Sequence, residues 1–328
     1  MAPFTDRESG LRGVRRLLER AGFYLFDLHH VRPTPFDLIA RRDSTLLLIK
    51  VLKNVDALDP QDANLLRTLA EALGAVPLVI GRATGARTLQ DSVLYSRHGV
   101  PILSLAGLEE YLLRGVPPFI FSSPGGKFVR IDGKALRRAR EARSLSLGAA
   151  ADIAGVSRRT IQLYEQGGGA DAEVVARLEA FLHVPLAAAL DPFEEGTALL
   201  YRDSEDGPDP DRPAGTPVPA QVVSDLGENG WEVTLTIRTP FDALAREERP
   251  QPRDVLVMGV GPIETAPRRS LLLWQISRVA EGVSVFLVPD RRTRTDVEGV
   301  PLVTYQELGR HADPQELREL LRERRRIP

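Results

Sequence analysis

"FDLIARRDSTLLLIK" spans residues 36–50, and its reading decides the fold. Asp37 opens a strand-like apolar stretch, and Lys50 closes the next, more buried one. The neighbouring segments extend the pattern. Leu11–Arg20 has the spacing of an amphipathic helix ended by Ala21-Gly22, and "FYLFDLHHV" predicts the strand before Asp37. After Lys50, "PQDANLLRTLAEALG" predicts a helix with Asp59 as N-cap and Pro60 in its first turn. "AVPLVIG" and "GVPILSL" predict two further strands, and "LAGLEEYLLRG" a closing helix near residue 115. Strands alternating with helices imply a mixed sheet flanked by helices, an α/β fold.

The last third of the chain repeats this outline. Residues 19–41, "ERAGFYLFDLHHVRPTPFDLIAR", line up with 227–246, "GENGWEVTLTIRTPFDALAR". Thr-Pro-Phe-Asp at 34–37 recurs at 239–242, with Ala-Arg three residues later in both. "TLLLIKV" aligns with "DVLVMGV", and "HGVPILSLAGLEEYL" with "EGVPLVTYQEL". Shared order, tetrapeptide and spacing mark two diverged copies of one α/β domain.

The 328 residues suffice for two or three cores. A hydrophobic share of 43% and a charged share of 27% are those of a soluble globular protein, and the net charge of -2 means that a nucleic-acid surface must come from local clustering. Cysteine is absent, which excludes disulfides and thiolate metal sites and fits a cytoplasmic location. No apolar run approaches 18 residues and the N-terminus has no apolar leader, so neither membrane nor secretion is expected. His29, His30, His98, His183 and His311 show no metal-ligand spacing. No phosphate-binding glycine loop occurs, and no cofactor is expected.

Pro35, Phe36, Asp37 and Lys50 together resemble the PD-(D/E)xK nuclease core. That resemblance implies carboxylates holding one or two divalent cations, with the lysine orienting the attacking water. The carboxylate expected two residues before the lysine is replaced by Leu48. In the second copy Asp242 persists, but Val257 and Gly259 stand at the positions of Leu48 and Lys50. A carboxylate from elsewhere, such as Glu19, is the candidate to complete a metal set. The plainer reading gives Asp37 and Asp242 turn and strand-end hydrogen bonds to their own backbone. The fold resembles a nuclease, and the motif is degenerate.

Between the copies, residues 136–186 read "LRRAREARSLSLGAAADIAGVSRRTIQLYEQGGGADAEVVARLEAFLHVPL". They resemble the helix-turn-helix domains of the Cro/C1 (XRE) family. Ala151 suits a close helix crossing, Gly155 the left-handed turn, and Val156 the space beneath it. Ser157 caps the next helix and Ile161 faces the core. The resemblance implies a major-groove helix from about Ser157 to Gln166, with Arg158, Arg159, Thr160 and Gln162 at base edges. Arg137, Arg138, Arg140 and Arg143 on the preceding helix suit phosphates. Nine basic and four acidic residues lie between Lys127 and Gln166, a local excess. In the plainer reading this is a dimerisation bundle with a solvated arginine face. One departure is Leu147, where the family places a polar residue, followed by Gly148-Ala149-Ala150.

The whole layout resembles the archaeal HTH-type transcriptional regulatory proteins. It divides into a nuclease-like domain at 1–121, a linker or hairpin at 122–133, and the helix-turn-helix domain at 134–192. An acidic, proline-rich linker at 193–219 and a second nuclease-like domain at 220–328 follow. The fold class is therefore two α/β nuclease-like domains plus an all-α helix-turn-helix domain. The implied function is a sequence-specific regulator, a homodimer on a pseudo-palindromic operator in double-stranded DNA, with non-catalytic nuclease-like domains and room for an effector. The competing class is a nuclease targeted by the helix-turn-helix, with an unconventional active site. The Arg-rich C-terminal helix reads as a solvated run or as an auxiliary DNA contact.

Overall fold

The computed structural model describes residues 4–28, 34–123, 126–194, 217–247, 255–290 and 294–325. His29, His30 and most of the acidic linker lie outside them. The chain forms two compact units. One comprises Met1–Gly13, Leu52–Ala57 and Val79–Leu199; the other comprises Val14–Val51, Leu58–Leu78 and Leu200–Pro328.

In the second unit, β1 (Tyr24–Asp27), β2 (Leu38–Arg42) and the part of β3 (Thr45–Asn54) up to Val51 form an antiparallel ladder. The C-terminal copy repeats it as β11 (Trp231–Leu235), β12 (Ala243–Glu247) and β13 (Val255–Val260). The repeat holds at the level of single hydrogen bonds. Thr34 Oγ1 donates to the Phe36 carbonyl, and Thr239 Oγ1 to that of Phe241. The Asp37 amide bonds Ile49 O at 2.7 Å, and the Asp242 amide bonds Met258 O at 2.8 Å. The register therefore makes Leu48 equivalent to Val257 and Lys50 to Gly259.

Each ladder leads into a helix opened by proline, α2 (Pro60–Leu73) and α9 (Ala266–Ala280). Asp59 caps α2 by accepting the Asp62 amide at 2.7 Å, as the sequence predicts. Helix α9 also packs on β1 and β2, while α2 packs on β11 and β12. Equivalent arginines close this exchange. Arg41 donates to the carbonyls of Val279 and Ala280, at 2.7 and 2.9 Å, in the last turn of α9. Arg246, its counterpart on β12, donates to Glu71 O at 3.0 Å in the last turn of α2. Each cation meets the negative end of the other copy's helix.

The C-terminal copy continues with β14 (Val283–Val288), β15 (Asp296–Val297) and β16 (Val300–Thr304), where β14 runs parallel to both β13 and β16. In the first copy β4 (Val76–Thr84), which also pairs with the short β5 (Arg87–Thr88), runs parallel to β7 (Val100–Ser104), and β6 (Val93–Arg97) is antiparallel to β7 as β15 is to β16. Helix α1 (Arg7–Arg20) begins four residues before the predicted Leu11, because the Asp6 carboxylate accepts the Ser9 amide and starts the turn early.

Helix α8 (Ala220–Glu228) precedes β11; α10 (Tyr305–Arg310) and α11 (Pro314–Arg324) follow β16. Thr304 and Glu307 form a capping box, and Arg324 grips both Glu307 oxygens at 2.7 and 3.2 Å. The arginine of the C-terminal run is thus structural at this position. Its hydrogen bonds, against the opposing effect of burial, hold the Glu307 carboxyl at about 2. A carboxylate depressed in the folded state contributes stability above its unfolded pKa and loses it as pH falls through the folded value. Acid titration from pH 4.5 toward 2 should therefore weaken this unit. In Arg324→Ala much of that slope should disappear, together with part of the stability at neutral pH, as read by denaturant melts at several pH values.

In the first unit α3 (Leu105–Arg114) follows β7. Then β8 (Ile120–Ser123) runs parallel to β6, and β9 (Gly126–Arg130) returns to pair with the short β10 (Gly169–Ala170) inside the helical domain. That domain consists of α4 (Gly133–Ala142), α5 (Leu147–Ala154), α6 (Arg158–Glu165) and α7 (Ala172–Leu182). Its core gathers Leu136, Ala151, Ala154, Ile161, Tyr164 and Leu178. No helix among the described residues is long and apolar enough to cross a membrane.

Candidate nucleic-acid interface

Helices α5 and α6 are set by their caps. Ser146 accepts the Ala149 amide at 3.1 Å, and Ser157 accepts the Thr160 amide at 3.1 Å. Between them Gly155 takes φ +70°, a left-handed conformation that costs glycine little. Val156 then bonds back to Ala151 O at 3.0 Å and packs against the core, while Ala151 is buried in it. These contacts fix the angle between the two helices and present the N-terminal end of α6.

The arginines sort into two groups. Arg140 is engaged within the fold: Nε and Nη2 reach the two Glu165 oxygens at 2.5 and 3.1 Å, and Nη1 reaches Leu145 O at 3.0 Å. Only 12% and 10% of the two side chains are exposed, so Arg140 is removed from the set of phosphate contacts. Arg177 donates to Ala154 O at 3.2 and 2.8 Å, closing the end of α5. In contrast, Arg138, Arg158 and Arg159 are exposed, and none makes a hydrogen bond or ion pair among the described residues. Arg137 is exposed beside Glu141 at 2.9 Å, an i,i+4 pair that stiffens the side chain only weakly. Arg143 is exposed and its Nη1 lies 3.4 Å from Ala139 O. Gln162 is exposed on α6. Thr160 is half-buried, and its hydroxyl lies 2.8 Å from the Ser157 hydroxyl, so both belong first to the cap.

Sequence reasoning did not single out Arg177 or the Arg140–Glu165 pair. The acidic residue of "YEQG" was the available signal for the latter. It also passed over Gly148 as a contact of Arg158, which joins residues on different helices.

The two nuclease-motif aspartates occupy equivalent positions. Each carboxylate accepts an amide from the adjacent strand: Asp37 from Val51 at 2.7 Å and Asp242 from Val260 at 2.6 Å. That corrects the expectation of hydrogen bonds to their own backbone. Lys50 lies 3.4 Å from Asp62 and donates to Pro35 O at 3.2 Å. Arg238 approaches the same Asp62 at 3.0 Å. In the second copy Arg269 occupies the helix position equivalent to Asp62 and reaches Asp242 at 2.5 Å. Burial pushes the Asp242 carboxyl above the ordinary range, and Arg269 pulls it part of the way back.

A divalent cation does not fit either arrangement. Leu48 and Val257 are fully buried apolar residues where a ligand is required. Asp62 and Asp242 already face protein cations. Glu19 is engaged with Arg15 at 3.0 Å on α1. Among the described residues no group of three His, Cys, Asp or Glu side chains gathers closely enough to hold a metal ion.

The sequence profile of the PD-(D/E)XK superfamily domain matches residues 7–118, and that of the Helix-turn-helix family matches residues 136–188. A protein of Halorubrum lacusprofundi is 37% identical over 323 residues, covering 98% of this chain and 99% of its own. One from Haloarcula marismortui is 38% identical over 322 residues, covering 97% of both chains. One from Methanosarcina mazei is 36% identical over 315 residues, covering 94% of this chain and 95% of its own. Each carries a name that proposes an HTH-type transcriptional regulatory protein.

Proposed function

The chain belongs to this family of archaeal HTH-type transcriptional regulatory proteins, and from that premise we propose that it is a sequence-specific DNA-binding regulator which binds without cutting. The observation that carries the reading is the division of the arginines. Those the fold needs are paired, whereas Arg138, Arg158 and Arg159 keep all their donors on the exposed face of a helix-turn-helix. Arg158, Arg159 and Gln162 read base edges in the major groove, since arginine meets guanine and glutamine meets adenine bidentately. Arg137, Arg138 and Arg143 hold phosphates and set the register. Ser157 and Thr160 secure the start of the reading helix. A homodimer would place two such helices on a pseudo-palindromic site in the cytoplasm.

The nuclease-like copies, at 1–121 and 220–328, serve as scaffold in this reading. The replacement of metal ligands by Leu48 and Val257, and the pairing of acids with Lys50, Arg238 and Arg269, support it. The test is an end-labelled duplex from the protein's own upstream region, incubated with Mg²⁺ or Mn²⁺ and run both native and denatured. A retarded native band with full-length strands is the expected result. Shortened strands that vanish in Asp37→Ala would reverse the assignment to an enzyme.

A further inference from the structure

We propose that Gly148 is a specificity-determining residue, which sets the position of the Arg158 guanidinium for base reading. The proposal rests on the regulator reading above. A Cβ placed on Gly148 would lie 2.8 Å from Arg158 Nε, 3.0 Å from Nη2 and 3.2 Å from Cζ. Nε and Nη2 lie nearer than Cζ, so the Nε–Nη2 edge of the guanidinium faces the Gly148 backbone, in the space a methyl group would take. Arg158 makes no hydrogen bond or ion pair among the described residues, and Leu147 beside the notch has no polar side-chain atom.

Electrostatics do not explain the pose either. The contact lies in the first turn of α5, the positive end of the helix dipole, which disfavours a cation. Shape is what fits, and the guanidinium keeps its Nη1–Nη2 edge for an outside acceptor. A bidentate contact to guanine needs both donors aligned in the base plane, so a small displacement removes its preference. Ordinary contact with a methyl group begins near 3.4 Å, so alanine at 148 forces the guanidinium to move. The moving atoms are the far end of a flexible side chain, so the fold is spared. Alanine is also the better helix former, and the variant should melt no lower than wild type.

The experiment is selection from random-sequence duplex by the full-length wild type, Gly148→Ala, Arg158→Ala and the double variant. Base preference is read position by position, alongside melting temperature and affinity for a non-operator duplex. Gly148→Ala should lose about tenfold in preference at the same base pair that Arg158→Ala loses, with non-operator affinity unchanged. In the Arg158→Ala background, Gly148→Ala should change nothing further. A wild-type preference retained in Gly148→Ala overturns the proposal. So does an equal loss on operator and non-operator DNA, which would make Arg158 a phosphate contact. An added loss in the double variant overturns it as well, since Gly148 would then act other than through Arg158. If the wild type itself enriches no sequence, the regulator reading fails first, and this proposal falls with it.

Discussion

Alanine at Arg158 and at Arg159 is expected to lower specific DNA affinity by about 1–3 kcal/mol each, roughly 5- to 150-fold, while the melting temperature stays near that of the wild type. The magnitude follows from bidentate base contacts, and the unchanged stability follows from their having no partner among the described residues. Two controls sharpen the result. Arg138→Ala should weaken operator and non-operator DNA alike and reduce the salt slope by about one. Arg140→Ala should do the opposite, costing about 3 kcal/mol of stability because Glu165 is left buried without its cation. Fluorescence anisotropy across a salt series, with thermal melts of each variant, separates these behaviours. Specific affinity that survives both Arg158→Ala and Arg159→Ala would remove α6 as the reading helix.

Arg269→Ala is expected to cost the second unit about 3 kcal/mol at neutral pH. That is the low end for breaking a buried ion pair, since the arginine side chain is still 26% exposed. Asp242 would keep the Val260 amide but lose the charge that offsets its burial. The pH dependence has a definite sign. A carboxyl whose folded pKa is raised binds protons more readily in the native state, so the penalty grows as pH rises through that window and shrinks in acid. Adding Asp242→Asn to Arg269→Ala should recover most of the loss, because a neutral side chain needs no counter-charge. Urea unfolding of both variants at several pH values measures this. An Arg269→Ala protein with the wild-type midpoint would mean that the pair does not hold the strand.

Both α/β copies were legible from the sequence because Thr-Pro-Phe-Asp does the same local work twice. A threonine hydroxyl and an aspartate carboxylate satisfy the same backbone groups in each. The apolar side chain of Leu48 two residues before Lys50 was legible too, since two residues along a strand lie on one face. The substitution of Asp62 by Arg269 was not. It lies on the following helix, and its meaning depends on a contact that spacing cannot reveal. In the helix-turn-helix, Ala151, Gly155 and Ser157 act within one turn of themselves and were therefore readable. Arg137, Arg138, Arg140 and Arg143 looked alike as a basic run. Only the fold shows that Arg140 turns inward to Glu165 while Arg138 remains outside. Gly148 was visible as a small residue, but not as the seat of a side chain ten positions further on.

The clasp of Arg41 and Arg246 on each other's helices gives the duplication a thermodynamic meaning. Two like surfaces on separate chains associate only as far as their concentration allows. Joined in one polypeptide, they meet at an effective concentration set by the tether, whatever the amount of protein in the cell. Dilution cannot part them, and neither half must match a copy of itself. Each can therefore diverge alone, and the two halves now differ: one holds a lysine against an aspartate on its helix, the other an arginine in that aspartate's place.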